Sequence, residues 1–339
     1  MSVSVIIPCH NDPYIWFTLN ALYRYTPVDA FEIVLIDDCS DVPLLVNPLL
    51  YPNLRVLRNT RNRGVGQSFD IGMVYARNET VVLMGADVIV KNKNWVEIAE
   101  KYTSENSYSI GCSVCLSGAP RNLDPDNPAD DVKRYGATIM PFVTTEDLPS
   151  DSSLLDIDSY YVGAFESKWI KNKPSKRVAE IPSVYGAMYV TTKSWYKYIQ
   201  GWDNSHRGWG SLEPWISMKS WLYGGKCHCI TELKSLHVFH KHDLQNPDFY
   251  VPSSPYELFY YNKLFIAHTQ LIPQDALRLI CKIYDTKVRH ELPTYQFNLA
   301  KKLIQQNWEK VDDVRIRNEK NFVHDFDWYC EKFGITKNF

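Results

Sequence analysis

Four short runs rich in β-branched and apolar residues, 3–8, 31–36, 54–57 and 80–84, mark the first quarter of the chain, with helix-patterned segments between some of them. Alternation of this kind predicts βαβ units around a mostly parallel, buried sheet, because parallel neighbours need a crossover and the crossovers cover the sheet faces. A first helix is predicted over 13–25, with Asp12 as its N-cap and Pro13 in its first turn, where a missing N–H costs nothing. A second starts near Gly66 and carries Phe69, Ile71, Met73 and Val74. Each strand ends in small or polar residues: Cys9, His10 and Asn11, then Asp37 and Asp38, then Gly85, Ala86 and Asp87. Ligands of open α/β sheets bind at these carboxyl ends.

From 116 to 176 the composition shifts to Pro, Asp, Ser and Lys, with turn dipeptides such as Asp124-Pro125 and Asn127-Pro128. This predicts a long polar insertion framing one side of the cleft. Regular structure resumes with a strand over 184–191 and a helix over 194–199; after Pro255 the pattern is helical, over 256–268, 274–284 and 295–311. The expected organisation is an α/β domain over 1–254, itself two halves (1–115 and 116–254), followed by a helical C-terminal appendage over 255–339.

With 339 residues, 45% of them hydrophobic, the chain can build one large core plus an appendage, and disorder is excluded as a general description. Thirty-seven basic against 39 acidic residues leave a formal charge of −2, so any contact with a polyanion must come from a local patch. No window approaches the roughly 18–20 apolar residues of a membrane span. The segment 2–8 lacks a basic n-region and reads as the first core strand, so we expect a soluble, cytoplasmic protein. The eight cysteines are then free thiols; Cys112 and Cys115 are spaced CxxC, but Cys227 and Cys229 are too tightly spaced for a usual zinc knuckle.

The most informative stretch is 208–240, GWGSLEPWISMKSWLYGGKCHCITELKSLHVFH. It places Glu213 at a tryptophan-rich loop-to-helix junction and His237 at the end of the next apolar run, which suggests a proton acceptor near a metal ligand. Asp87 follows the buried run VVLM; an Asp there either caps a turn or, with His237, holds a cation. Trp209, in a loop flanked by glycines, either packs on a ligand ring or anchors the loop. His240 and His242 are alternatives to His237 at the metal, or members of a solvated cluster. Arg61 and Arg63 precede Gly64 and either reach an anionic ligand or lie in solvent. The segment RGVGQS has too few glycines for a dinucleotide fingerprint and does not directly follow the first strand. Neither a phosphate-binding P-loop nor a nucleophile elbow occurs.

Taken in order, SVIIPCHND, EIVLIDDCSD, RNRGVGQSFDIGMVYA, VVLMGADVIV and GWDNSHRGWGSLEPWISMKSWLYGG resemble successive motifs of family-two glycosyltransferases of the GT-A type. Residues 185–240 are most similar to the polypeptide N-acetylgalactosaminyltransferase branch. The resemblance implies a GT-A fold, a UDP-sugar donor and a Mn2+ or Mg2+ cofactor held by Asp87 and His237. It also implies a donor site lined by Pro8, Cys9, His10, Asp38, Arg63, Gly64, Ala86 and Trp209, with Asp37 in support. Glu213 falls on the second member of the family's Glu-Asp pair, the usual base of inverting relatives, whereas in retaining relatives the same position orients the acceptor.

One departure matters: the family's Asp-x-Asp or Asp-x-His motif appears as Gly85-Ala86-Asp87, without its first acid. That loss motivates an alternative, a sugar-nucleotide-binding protein without transferase activity. The implied acceptor is a hydroxyl: a hydroxymethylated base in phage DNA, a glycan, or a peptide Ser or Thr. The segment 168–177, KWIKNKPSKR, is either a solvated loop or a contact for a phosphate-bearing acceptor.

Overall fold

The computed structural model describes residues 2–118, 133–148, 160–208, 210–238 and 256–339. The first half runs β1 (Val3–Cys9), α1 (Ile15–Tyr25), β2 (Phe31–Asp37), β3 (Leu54–Arg58), α2 (Val65–Tyr75), β4 (Thr80–Met84), β5 (Val88–Val90), α3 (Trp95–Glu105) and β6 (Ser109–Gly118). It continues with β7 (Lys133–Arg134), β8 (Ala137–Thr144), β9 (Val162–Trp169), β10 (Val178–Glu180), β11 (Met188–Thr192), α4 (Lys193–Tyr198), α5 (Leu212–Leu222) and β12 (Lys226–Val238). Five helices close the chain: α6 (Tyr256–Gln270), α7 (Pro273–Arg289), α8 (Tyr295–Gln306), α9 (Trp308–Asn321) and α10 (Phe326–Phe333).

A ten-stranded sheet in the order β10-β12-β6-β11-β4-β1-β2-β3, with β5 on β12 and β7 on β6, forms the centre. Neighbours β4, β1, β2 and β3 pair in parallel, as do β6 and β12. β11 is antiparallel to both β4 and β6, so two reversals cancel and β6 and β12 run the same way as the first four strands. The mostly parallel sheet is therefore present, with β11 as an inserted reverse strand. Strands β1, β2 and β4 are buried along their whole length, which explains why they read as apolar runs with no alternation.

Four expectations are corrected in detail. The strand expected over 184–191 starts only at Met188, because Gly186 and Ala187 have φ of 104° and 62° and belong to a turn. The polar insertion contains an antiparallel pair, β8 on β9, with burial alternating over the first half of β8. The single helix expected over 295–311 is two, broken at Asn307, whose side-chain amide donates to the Leu303 carbonyl and whose Oδ1 accepts from Arg207. At the first helix, Asp12 lies two residues before the N-cap, which is Tyr14: its Oδ1 accepts from the Tyr14 N–H at 2.8 Å, and the helix begins at Ile15.

The C-terminal segment is helical, and its buried residues join one hydrophobic core with the sheet, from Val3 to Cys330. Polar side chains reinforce the junction. Gln270 donates to the Trp215 carbonyl at 3.0 Å, and Asn318 donates to the Thr269 carbonyl at 2.9 Å. Arg317 and Lys219 share the buried carboxylate of Asp203, so α9 is ionically tied to α5. Among the described residues no helix is long and apolar enough to cross a membrane.

Candidate functional site

The site lies where β1, β2 and β4 end, facing the loop before α5. Register explains why its two metal-ligand candidates meet. β5 begins directly after Asp87 and pairs antiparallel with β12, with Val88 opposite His237 and the Val238 N–H donating to the Asp87 carbonyl at 3.0 Å. The result is Asp87 Oδ2 at 3.2 Å from His237 Nε2, both half-buried. Two cis ligands of one octahedral ion, each about 2.1 Å from it, would stand about 3.0 Å apart, so this pair fits the edge of a single coordination sphere. Among the described residues no third His, Cys, Asp or Glu completes a cluster with them. A cation held here would keep coordination positions for ligand oxygens and water, as phosphate-bound Mg2+ typically does.

Gly85, where the family carries an acid, is shaped around this pair. Its N–H donates to the Ala187 carbonyl at 2.9 Å, and a Cβ there would sit 2.7 Å from Asp87 Oδ1. Any side chain at 85 would displace the Asp87 carboxylate from its present position. Next in the turn, the Ala86 carbonyl is held by the Thr18 hydroxyl at 2.6 Å.

Pro8 and Cys9 end β1 and are buried opposite Ile36 and Asp37. Burial pushes the Cys9 thiol up to about 12, with nearby Asp12, Asp37 and Asp87 adding to the rise and the Asp12 carbonyl opposing it; the thiol is neutral and no nucleophile. His10 Nδ1 lies 3.0 Å from the Asp38 carbonyl oxygen, which turns the ring toward the β2 end. Asp37 is a scaffold: burial opposes its charge, but the Ser40 and Leu44 amides, the Ser40 hydroxyl and Arg58 outweigh that and hold its carboxyl below the usual value. Asp38 is also engaged, accepting from Asn59 at 2.7 Å and from the Arg63 and Gly64 N–H groups at 2.9 and 2.8 Å. Its carboxylate therefore folds the 59–64 loop over the cleft.

Gly64 is the hinge of that loop. It has φ of +86°, and a Cβ on it would lie 2.4 Å from the Gly208 nitrogen, so the loop at the start of α2 touches the loop before α5. Trp209 itself lies outside the described residues, as do His240 and His242.

Glu213 occupies the first turn of α5. The chain reaches it through left-handed conformations at Gly208, Gly210 and Ser211. Its Oε1 accepts from the Tyr189 hydroxyl at 2.8 Å. Burial raises its pKa, while the Tyr189 hydrogen bond and the nearby His237 oppose the rise. The Glu213 carboxylate is thus within electrostatic reach of His237. Behind the loop, Lys263 of α6 contacts Ser211 Oγ at 3.2 Å and pairs with Glu166, which also accepts from Tyr161. The Tyr185 hydroxyl is pushed up, first by burial and then by Glu213 and Glu166. Its ring lies 4.0 Å from that of Trp169, over which Arg134 stacks.

Sequence reasoning missed Tyr189, Tyr185, Arg134, Glu166 and Lys263. Tyr189 and Tyr185 were hidden in an apolar run, Arg134 and Glu166 in a segment read as loop, and Lys263 in a distant helix. Cys112 and Cys229 stand opposite one another on β6 and β12, and all eight cysteines are free of disulfides.

Comparison with known proteins bears on this geometry. Residues 4–144 match the family model described as Glycosyl transferase family 2. Polypeptide N-acetylgalactosaminyltransferase 10 of Mus musculus is 25% identical over 251 residues, covering 71% of this chain and 38% of the relative. Polypeptide N-acetylgalactosaminyltransferase 14 of Homo sapiens is 21% identical over 258 residues, covering 72% and 42%. The chain thus spans about two fifths of the length of the relatives it matches. A crystal structure of GalNAc-T7 with UDP, GalNAc and Mn2+ superposes with a TM-score of 0.67 at 18% identity, over 98% of this chain and 57% of that one, and shares its GT-A fold.

Proposed function

We propose that the chain, whose residues 4–144 match the Glycosyl transferase family 2 model, transfers a sugar from a nucleotide diphosphate, UDP above all, to an acceptor hydroxyl. The observation that carries the reading is the 3.2 Å approach of Asp87 and His237 at a sheet's carboxyl edge, with Glu213 within electrostatic reach of His237. Both relatives named above are sugar transferases, and the GalNAc-T7 structure holds UDP and Mn2+.

Asp87 and His237 would hold Mn2+ or Mg2+, and the cation would supply Lewis-acid stabilisation of the departing diphosphate. Pro8, Cys9, His10 and Ala86 would line the nucleoside side, with the Arg63–Gly64 turn held against them by Asp38. Trp209 is retained as a donor-side residue. In the inverting form of the step, an acceptor oxygen forms a bond to the anomeric carbon as the bond from that carbon to the diphosphate oxygen breaks. The acceptor proton passes to Glu213, whose pKa is raised by burial, which strengthens it as a base. In a retaining form Glu213 would orient the acceptor.

The relatives' names support a peptide Ser or Thr acceptor. A second reading, a phosphate-bearing acceptor such as hydroxymethylated phage DNA, is favoured by the exposed Lys168, Lys171, Lys173 and Lys176, in the segment whose Trp169 packs on Tyr185 near Glu213. Arg177 is less available to it, being paired with Glu105 and Glu232. The free cysteines are consistent with a reducing, cytoplasmic setting. UDP release from UDP-sugars, assayed with Mn2+ against a panel of Ser/Thr peptides, glycans and hydroxymethylated DNA, tests the reaction and selects the acceptor; no release with any of them would favour a sugar-nucleotide-binding protein.

A further inference from the structure

We propose that Tyr189 is a positioning residue that locks the Glu213 carboxylate and ties it to the turn carrying Asp87; this rests on the transferase reading given above. Tyr189 lies on β11, the reverse strand between β4 and β6, and is buried. Its hydroxyl does two things at once. It donates to Glu213 Oε1 at 2.8 Å and accepts from the Ala187 N–H at 3.1 Å. Ala187 stands at φ of 62° in the turn before β11, and its carbonyl accepts from the Gly85 N–H at 2.9 Å.

A continuous hydrogen-bonded path therefore runs from Gly85, two residues before Asp87, through Ala187 and Tyr189 to Glu213. The phenol is held by strand burial and by the Ala187 amide, so it presents its proton in one direction. A carboxylate at the first turn of a helix otherwise has freedom about its side-chain torsions, and a fixed donor at one oxygen removes much of it. With Oε1 engaged by the phenol, the acceptor hydroxyl would be met by the second oxygen. Gly85 belongs to the same device: a side chain there would press on Asp87, so the turn trades an acid for a tight backbone link to the Glu213 side.

The test is a double-mutant cycle with Tyr189→Phe and Glu213→Ala, read in full-length protein with UDP-N-acetylgalactosamine, Mn2+ and the best acceptor from the panel. Tyr189→Phe alone should lower kcat about tenfold, with the donor KM and the Mn2+-dependent affinity for UDP near wild type. In the Glu213→Ala background the same change should have no further effect on kcat, because the group it orients is gone. An equal fold loss in both backgrounds, or wild-type kcat in Tyr189→Phe, overturns the inference. A wild-type protein that turns over no UDP-sugar defeats the transferase reading instead. The cycle is then read by thermal unfolding, where additive Tyr189 and Glu213 effects would show that the two do not act as a unit and overturn the inference independently.

Discussion

Gly64 and Gly208 meet so closely that a single methyl group at 64 would stand 2.4 Å from the backbone nitrogen of 208. The contact joins the loop that Asp38 folds over the nucleoside side to the loop that delivers Glu213. Gly64→Ala combines a backbone clash with a φ of +86° that side chains rarely adopt. It should destabilise the fold by about 1–3 kcal/mol and weaken UDP binding together. Thermal unfolding and UDP titration check this; a variant unchanged in both would mean that the loops do not need to touch.

If Asp87 and His237 hold one ion as proposed, Asp87→Ala and His237→Ala should each weaken UDP binding in Mn2+, because each would remove a ligand from it. The effect should disappear in EDTA, where wild type and variants converge. Titration calorimetry with and without the metal reads it. Equal affinity of wild type and both variants in Mn2+ would remove the pair from the metal site.

His206 links acid stability to the Glu213 loop. It is fully buried, its Nε2 lies 2.9 Å from the Gly210 carbonyl oxygen, and burial pushes its pKa down from 6.5 to about 4, the Gly210 contact opposing. An unfolded chain takes up a proton as pH falls through 6.5, whereas the folded protein resists until about 4. Stability is therefore full above the higher value and lost as pH falls across that window, by roughly 2 kcal/mol at pH 5. Denaturant unfolding at pH 7.5 and pH 5 should show this loss in wild type and a smaller one in His206→Gln. Equal losses in both proteins would assign the acid sensitivity elsewhere.

Much of this arrangement was legible in the sequence, for identifiable reasons. Strands β1, β2 and β4 are buried on both faces and so appear as uninterrupted apolar runs. Their polar ends, Asp37, Asp38 and Asp87, stood out against that background. His237 closes β12 and pairs across to β5, so its place beside Asp87 followed once both strand ends were recognised. What was not legible depends on long-range contacts. Asp38 is expected at the donor with Asp37 in support, but the partners that engage their carboxylates, Arg58 at Asp37 and the 63–64 amides at Asp38, come from distant positions in the chain. Tyr189 is an aromatic among apolar neighbours, and only the folded chain shows its hydroxyl bonded to Glu213, 24 residues away. The break at Asn307 was invisible to periodicity because the helical pattern continues on both sides of it.

The basic segment gives a prediction about the acceptor. If Lys168, Lys171, Lys173 and Lys176 contact nucleic-acid phosphates, neutralising them should weaken DNA binding and flatten its salt dependence, by about 0.9 in the log-log slope for each phosphate no longer paired with a lysine. Arg177→Gln should contribute less, since its charge is already paired. Donor binding should not change. An unaltered slope, or no DNA binding by wild type, returns the segment to a solvated surface and leaves a peptide or glycan hydroxyl as the acceptor.

The central claim is that Glu213 acts on an acceptor hydroxyl beside a UDP-sugar held through Asp87 and His237. It is tested most directly by UDP release from UDP-N-acetylgalactosamine in Mn2+ with the best acceptor, comparing wild type with Glu213→Gln. The substitution keeps the shape of the side chain and its acceptor for the Tyr189 hydroxyl but cannot take a proton. Wild type should release UDP in an acceptor-dependent manner, and kcat of the variant should fall by about 10² or more with UDP affinity near wild type. Wild-type kcat in Glu213→Gln, with the same acceptor and metal, would contradict the claim.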